Sequence, residues 1–105
     1  MTPIAIDIDK DRLRDFCRRW RITEFALFGS VTRPEEFRAD SDVDVLVSFD
    51  RGASWTLYDL MDVRDQLAAM FGRDVDLLER AGVETMKNYL RRDEILRSVV
   101  LLEVA

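Results

Sequence analysis

Apolar and polar positions recur along this chain with two different periods. In "IDKDRLRDFCRRWRI" apolar residues fall at 13, 16, 17 and 20, a helical stripe that Asp9 is placed to cap. "TEFALF", Thr23 to Phe28, is a short β-leaning run that Gly29 ends. The polar "VTRPEEFRAD" that follows contains Pro34 and reads as a turn or helical turn and then loop. "SDVDVLVSF", Ser41 to Phe49, is the strongest strand in the sequence: valines 43, 45 and 47 alternate with Asp42, Asp44 and Leu46. "SWTLYDLMDVRDQLAAMFG" returns to the helical period, with apolar residues at 57, 60, 61, 67, 68 and 71. Ser54 is its expected N-cap and Gly72 its stop. Trp55, Tyr58, Met61 and Met70 follow the same spacing and are expected as core or partner-facing groups.

"RDVDLLE", Arg73 to Glu79, is a third strand candidate. From Ala81 onward the propensity is helical, with the charged "RRDE" at 91–94 expected to divide it into two pieces. The apolar tail "ILRSVVLLEVA" is expected to dock on the domain or on a partner. The predicted order is α-β-turn-β-α-β-α. That is an α/β (α+β) arrangement in one domain over 1–105, a small mixed sheet covered by helices.

Bulk properties narrow the function. The 105 residues are one domain's worth of chain. No apolar run approaches the roughly 18–20 residues that a membrane span needs, and "MTPIAIDIDK" lacks the pattern of a signal peptide. The single cysteine, Cys17, excludes an internal disulfide framework, fits a reducing cytoplasm and is expected as a small buried apolar residue. A net charge of −5 argues against binding nucleic acid by neutralising phosphates. Nucleotide binding, which needs only a few local donors and a metal, stays open. The absence of histidine removes Ser-His-Asp and Cys-His catalysis, HExxH zinc sites and histidine-based RNA cleavage together. Any chemistry here rests on carboxylates, basic residues, hydroxyls and a metal.

Strand alternation puts Asp42 and Asp44 on one face of the second strand. By the same rule Asp76 shares a face with Asp74 on the third, and Asp76, set in the apolar body of that strand, is the preferred third acid. If the two strands are neighbours, three carboxylates gather in one cleft, where repulsion and desolvation make them costly. Hard oxygen ligands without His or Cys point to magnesium or manganese. Gly29 at a strand end lets backbone approach a ligand closely, and Ser30 offers a hydroxyl and an amide suited to a phosphate. A phosphate site beside carboxylate-held metal is the layout for phosphoryl or nucleotidyl transfer.

Gly29-Ser30, eleven residues, Asp42-Val43-Asp44, and then an aspartate in "VDLL" resemble the DNA polymerase beta nucleotidyltransferase superfamily. More narrowly, the chain resembles the minimal nucleotidyltransferase (MNT) domains encoded beside HEPN proteins in toxin–antitoxin pairs. The resemblance implies magnesium-dependent transfer of AMP from ATP to a hydroxyl, in several members a tyrosine of the partner HEPN toxin, which is thereby silenced. It implies that Gly29 and Ser30 contact phosphate and that Asp42 and Asp44 bridge the metals. It further implies that Asp76 orients or deprotonates the acceptor. Arg33 matches an arginine common in the family, with either a phosphate contact or an ion pair to Glu35, Glu36 or Asp40 as its role. Many members continue Arg-Gly with a shorter loop, whereas here Pro34 and an acidic "EEF" follow. Lys87 and Arg91 are read as a solvated helix face within reach of a triphosphate. The alternatives to an adenylylating antitoxin are a non-catalytic antitoxin acting by stoichiometric binding and a transferase of small molecules.

Overall fold

The structure, a computed structural model, describes residues 4–104. Helix α1 spans Lys10–Trp20, and Asp9 caps it by accepting from the amides of Asp11 and Arg12. Strand β1 (Ile22–Phe28) follows, then two consecutive 3-10 turns at Gly29–Thr32 and Pro34–Glu36. Strand β2 covers Val43–Phe49, helix α2 Leu57–Phe71 and strand β3 Val75–Glu79. Helices α3 (Arg80–Glu84) and α4 (Tyr89–Ser98) precede a final strand, β4 (Val100–Leu102). The four strands form one mixed sheet in the order β3-β2-β1-β4, with β2/β3 parallel and both pairs made by β1 antiparallel. The α/β arrangement with a small mixed sheet covered by helices is therefore the observed one.

Side-chain alternation gives the sheet two unlike faces. Phe25, Leu27, Val43, Val45, Val47 and Val75 face α1 and α2 and build the larger core with Leu13, Phe16, Val63 and Leu67. Ala26, Phe28 and Leu46 face the other way and pack on Val83 of α3 and Ile95 of α4. An irregularity in the β1–β2 register between Ile22 and Glu24 puts Ile22 on the same side as Phe25. Cys17 is buried in the larger core, and burial pushes its thiol up to about 12, an inert packing residue.

Three sequence expectations shift. The N-cap of α2 is Thr56, not Ser54: Thr56 accepts from the Asp59 amide while the Asp59 carboxylate accepts from the Thr56 amide. This reciprocal box outcompetes a lone serine two residues earlier. The C-terminal helical region divides at 85–88, not at "RRDE", which lies inside α4. Asn88 starts α4 by accepting from the Arg91 amide. The tail is not helical throughout either. Val100–Leu102 leaves the helix to pair with Phe25–Leu27, filling the open edge of β1, and Val104 is buried behind it. Of the large side chains on α2 and just before it, Leu57, Tyr58 and Met61 are exposed. Trp55 instead packs edge-on against Trp20, with ring centroids 5.1 Å apart. Among the described residues no helix is long and apolar enough to cross a membrane.

Replacing Thr56 by alanine should cost about 1 kcal/mol, the usual worth of an N-cap, whereas Ser54→Ala should stay within about 0.5 kcal/mol of the parent. Urea midpoints of the two variants make the comparison, and equal losses would mean that the helix starts elsewhere.

Candidate active site

Phe28, the last residue of β1, pairs with Asp44, and Asp44 pairs with Asp76. The three form one row across three strands, on the face turned towards α4. Asp76 is the acid that the register brings opposite Asp44; Asp74 lies one step before β3. Immediately after the row the chain turns at Gly29, whose φ of +72° is a left-handed conformation that favours glycine. A second reason for glycine is spatial. A Cβ at position 29 would collide with the Oδ2 of Asp44 and stand 3.2 Å from its Cγ. The missing methyl group is the space that the Asp44 carboxylate occupies.

Gly29 opens the first 3-10 turn, which carries Ser30 and closes with the Thr32 hydroxyl donating to the Gly29 carbonyl at 2.6 Å. No side chain caps the start of that turn. Gly29, Ser30, Arg33, Asp44 and Asp76 line one cleft, whose opposite wall is α4 through Arg91, Glu94, Ile95 and Ser98. Arg33 pairs with Glu36, three residues on, one of the ion pairs read from sequence, and it also lines the cleft. A half-exposed pair of this kind contributes under about 1 kcal/mol, so it does not hold Arg33 away from a stronger anion.

Asp42 stands apart. It precedes β2, is exposed, and lines the neighbouring hollow with Asp40, Ser41, Arg73 and Asp74. Its charge still reaches the cleft. The Asp44 carboxyl is raised from 3.8 to about 6, first by burial, then by repulsion from Asp76 and from Asp42; Arg91 and Arg33 oppose the shift. No salt bridge among the described residues involves Asp42, Asp44 or Asp76.

Among the described residues no three His, Cys, Asp or Glu side chains converge closely enough to hold a metal ion as they stand. Asp44 and Asp76 face one cleft, with Asp42 beside it. The donor set nevertheless fits a hard divalent cation: oxygen donors only, a carboxylate seated where a Cβ would be, and mutual repulsion that no basic group pairs off. Arg91, which sequence alone left on a solvated face, belongs to the cleft wall; Lys87, in the connection before α4, does not line it. The signal for Arg91 was the N-cap. With Asn88 starting α4, positions 91, 94, 95 and 98 fall on one helical face.

The chain matches the family described as "Nucleotidyltransferase domain" over residues 10–101. It is 34% identical over 76 residues to the protein adenylyltransferase MntA of Thermococcus cleftensis, covering 72% of this chain and 71% of that one. A Methanocaldococcus jannaschii protein, provisionally named a protein adenylyltransferase, is 35% identical over 75 residues, 71% of this chain and 73% of its own. In three dimensions it is similar to a solved structure provisionally named a minimal nucleotidyltransferase (TM-score 0.67, 32% identity, 89% of this chain and 88% of that one). It also has the fold of a chain in a toxin–antitoxin structure with AMP-PNP (TM-score 0.66, 18% identity, 93% and 75% covered).

The raised Asp44 carboxyl sets a pH dependence. Between about pH 4 and 6 the folded state binds the additional proton, so this group's contribution to stability falls as pH rises through that window and is level above it. Discounted for solvent screening of a half-buried group, the shift should make Asp44→Asn gain about 2 kcal/mol over the parent at pH 8 in EDTA and converge with it near pH 4. Urea titrations at several pH values read the difference. A gap independent of pH would mean that Asp44 is not the strained carboxylate.

Proposed function

This chain belongs to the nucleotidyltransferase domain family, and from that premise we propose that it is a magnesium-dependent protein adenylyltransferase. In this reading it moves AMP from ATP to a tyrosine hydroxyl of a HEPN-type toxin in the cytoplasm, silencing the toxin as its antitoxin. The observation that carries the proposal is the Phe28–Asp44–Asp76 row ending against Gly29-Ser30. It supports a triphosphate held at one end of the cleft and carboxylates at the reacting centre. Asp42, Asp44 and Asp76 would hold the divalent cation, with manganese as a substitute, after the exposed Asp42 side chain turns towards the other two. Bound there, the cation neutralises triphosphate charge and eases ionisation of the acceptor hydroxyl.

The chain's own residues supply the rest. The Ser30 hydroxyl and neighbouring amides contact the phosphates, and Arg33, released from Glu36, adds a positive charge. Arg91 faces the same anion from α4. Asp76, at the exposed end of the row, orients the acceptor hydroxyl and accepts its proton. The acceptor oxygen bonds to the α-phosphorus while the bond from that phosphorus to the bridging oxygen breaks, and pyrophosphate leaves with the electron pair. Above about pH 6 Asp44 is ionised even without a cation, so the site is charged for binding at neutral pH.

A protein acceptor is supported by the relatives' names and by what the helix walling the cleft exposes at its start. The solved likenesses include a tri-AMPylated Shewanella oneidensis HEPN toxin in complex with MNT antitoxin, which the chain resembles in fold. On this chain Tyr89 and Leu90 at the start of α4 are 60% and 69% exposed, apolar surface suited to a protein partner and a hetero-oligomer with it. Nothing in the site calls for nucleic acid or a membrane.

Asp42→Asn/Asp44→Asn should lose metal-dependent label transfer from α-labelled ATP to the partner by on the order of a thousandfold or more, several kcal/mol of charge stabilisation. Its circular dichroism should remain that of the folded parent. Magnesium with ATP should raise the parent's Tm and leave the double variant's unchanged. Undiminished transfer by the variant would sink the proposal, and toxin silencing without any transfer would favour the purely stoichiometric binder.

A further inference from the structure

The β1–β2 connection is fastened to the chain by one side chain. Nη1 of Arg73 donates to the carbonyl oxygens of Arg38, Ala39 and Ser41 at 2.8, 3.1 and 3.1 Å. Two N–H groups thus serve three acceptors. The guanidinium also stacks over the Phe37 ring, with Cζ 4.3 Å from its centroid, and Phe37 packs against the larger core. The loop's own turn is closed beneath this contact: the Arg38 amide donates to Ser41 Oγ, and the Ser41 amide donates to the Arg38 carbonyl.

Asp42 follows directly. The carbonyl before it, of Ser41, is held by Arg73, and the amide after it, of Val43, donates to the Asp74 carbonyl at 2.9 Å. The exposed acid is therefore bracketed on both sides by residues 73–74, the segment that leads into the strand carrying Asp76. Arg73 does this without taking a carboxylate. Asp40, Asp42 and Asp74 line the same hollow, yet Arg73 is in no salt bridge among the described residues. A pair with Asp42 would have neutralised the acid; bonding to backbone carbonyls fixes the loop and leaves the charge.

We propose that Arg73 is a positioning residue for the nucleotidyltransferase site: by clamping the 38–41 carbonyls it holds Asp42 in register with Asp44 and Asp76, so that the three acids close on one cation. This rests on the proposed function above. The geometry divides the work between two features of the side chain. A cationic nitrogen meets the carbonyls, which lysine can imitate, and a planar face meets Phe37, which lysine cannot.

The test is binding of Mn2+ in the presence of the non-transferable α,β-methylene analogue of ATP, followed by electron paramagnetic resonance, together with amide hydrogen exchange of the 38–43 segment. Arg73→Met should raise the Mn2+ concentration for half-saturation about tenfold, the usual scale for removing a group that orients a metal ligand, and should speed exchange in that segment. Arg73→Lys should recover most of the Mn2+ affinity. If Arg73→Met lowers Tm or speeds exchange while Mn2+ affinity is unchanged, Arg73 is merely structural and the inference falls. It falls as well if Arg73→Lys binds Mn2+ no better than Arg73→Met. If the unaltered protein binds no Mn2+ with nucleotide, the proposed function fails first and the positioning role with it, a result distinct from either variant outcome.

Discussion

Carboxylates on adjacent strands repel unless something other than packing keeps them together, and here backbone pairing does so. Once β1, β2 and β3 are in register, Asp44 cannot move away from Asp76 without breaking ladder hydrogen bonds on both sides of β2. The cost shows in the Asp44 carboxyl, raised first by its burial and then by repulsion from Asp76 and Asp42. The same row fixes Gly29, because Phe28 ends β1 opposite Asp44 and the next residue must turn away without a Cβ. Site geometry is thus a consequence of sheet register, and a slip by one residue would send both acids into the apolar core.

The two faces of the sheet share this register unequally. Towards α1 and α2 the inward positions of β2 are Val43, Val45, Val47 and finally Phe49, and the acids' neighbours in sequence do the packing. Towards α4 the same strand carries Asp44, Leu46 and Ser48, so chemistry and packing compete for one helix. That competition is divided along the length of α4 rather than around it. Ile95 anchors the helix on Ala26, Phe28 and Leu46, while Arg91 and Glu94, on the same side, reach past the end of the apolar patch to the cleft. Further along β2, Ser48 donates to Glu24, which also accepts from Arg80 of α3. This paired carboxylate is held below its ordinary range by Arg80. Of the acids on that face, the one with a basic partner is structural and those without one line the cleft.

What could be read from sequence followed the strength of local signals. The valine alternation gave β2 and the face of its acids; on β3, where period two leaves Asp74 and Asp76 on one face, the apolar neighbours of Asp76 separated the two. Gly72 stops α2 as expected, in a left-handed conformation with φ of +68°. The tail defeated the same reasoning because five apolar residues in "VVLLEV" carry no period that separates strand from helix. What decides it is non-local: β1 has an edge to fill, and Val99 is already extended at the end of α4. The break before α4 went to the charged "RRDE" because charge was read as a breaker, whereas the operative signal was the side chain of Asn88.

Arg73 shows a different limit. Its acceptors are backbone carbonyls 32 to 35 residues away, and a carbonyl has no identity in sequence. The loop it holds contains "PEEF", the stretch where the resemblance read from sequence implies a shorter Arg-Gly connection. A longer connection has more conformations to lose on ordering, a cost that rises only slowly with length but falls here on the residue preceding Asp42. The side-chain clamp removes that freedom where it would matter, at one end of the loop, and leaves the 3-10 turn around Pro34 exposed, with only the local Arg33–Glu36 pair across it. A connection of this length and composition can therefore leave the acid at its end in place, provided that its last turn is fastened to the segment leading into the strand that bears the third acid.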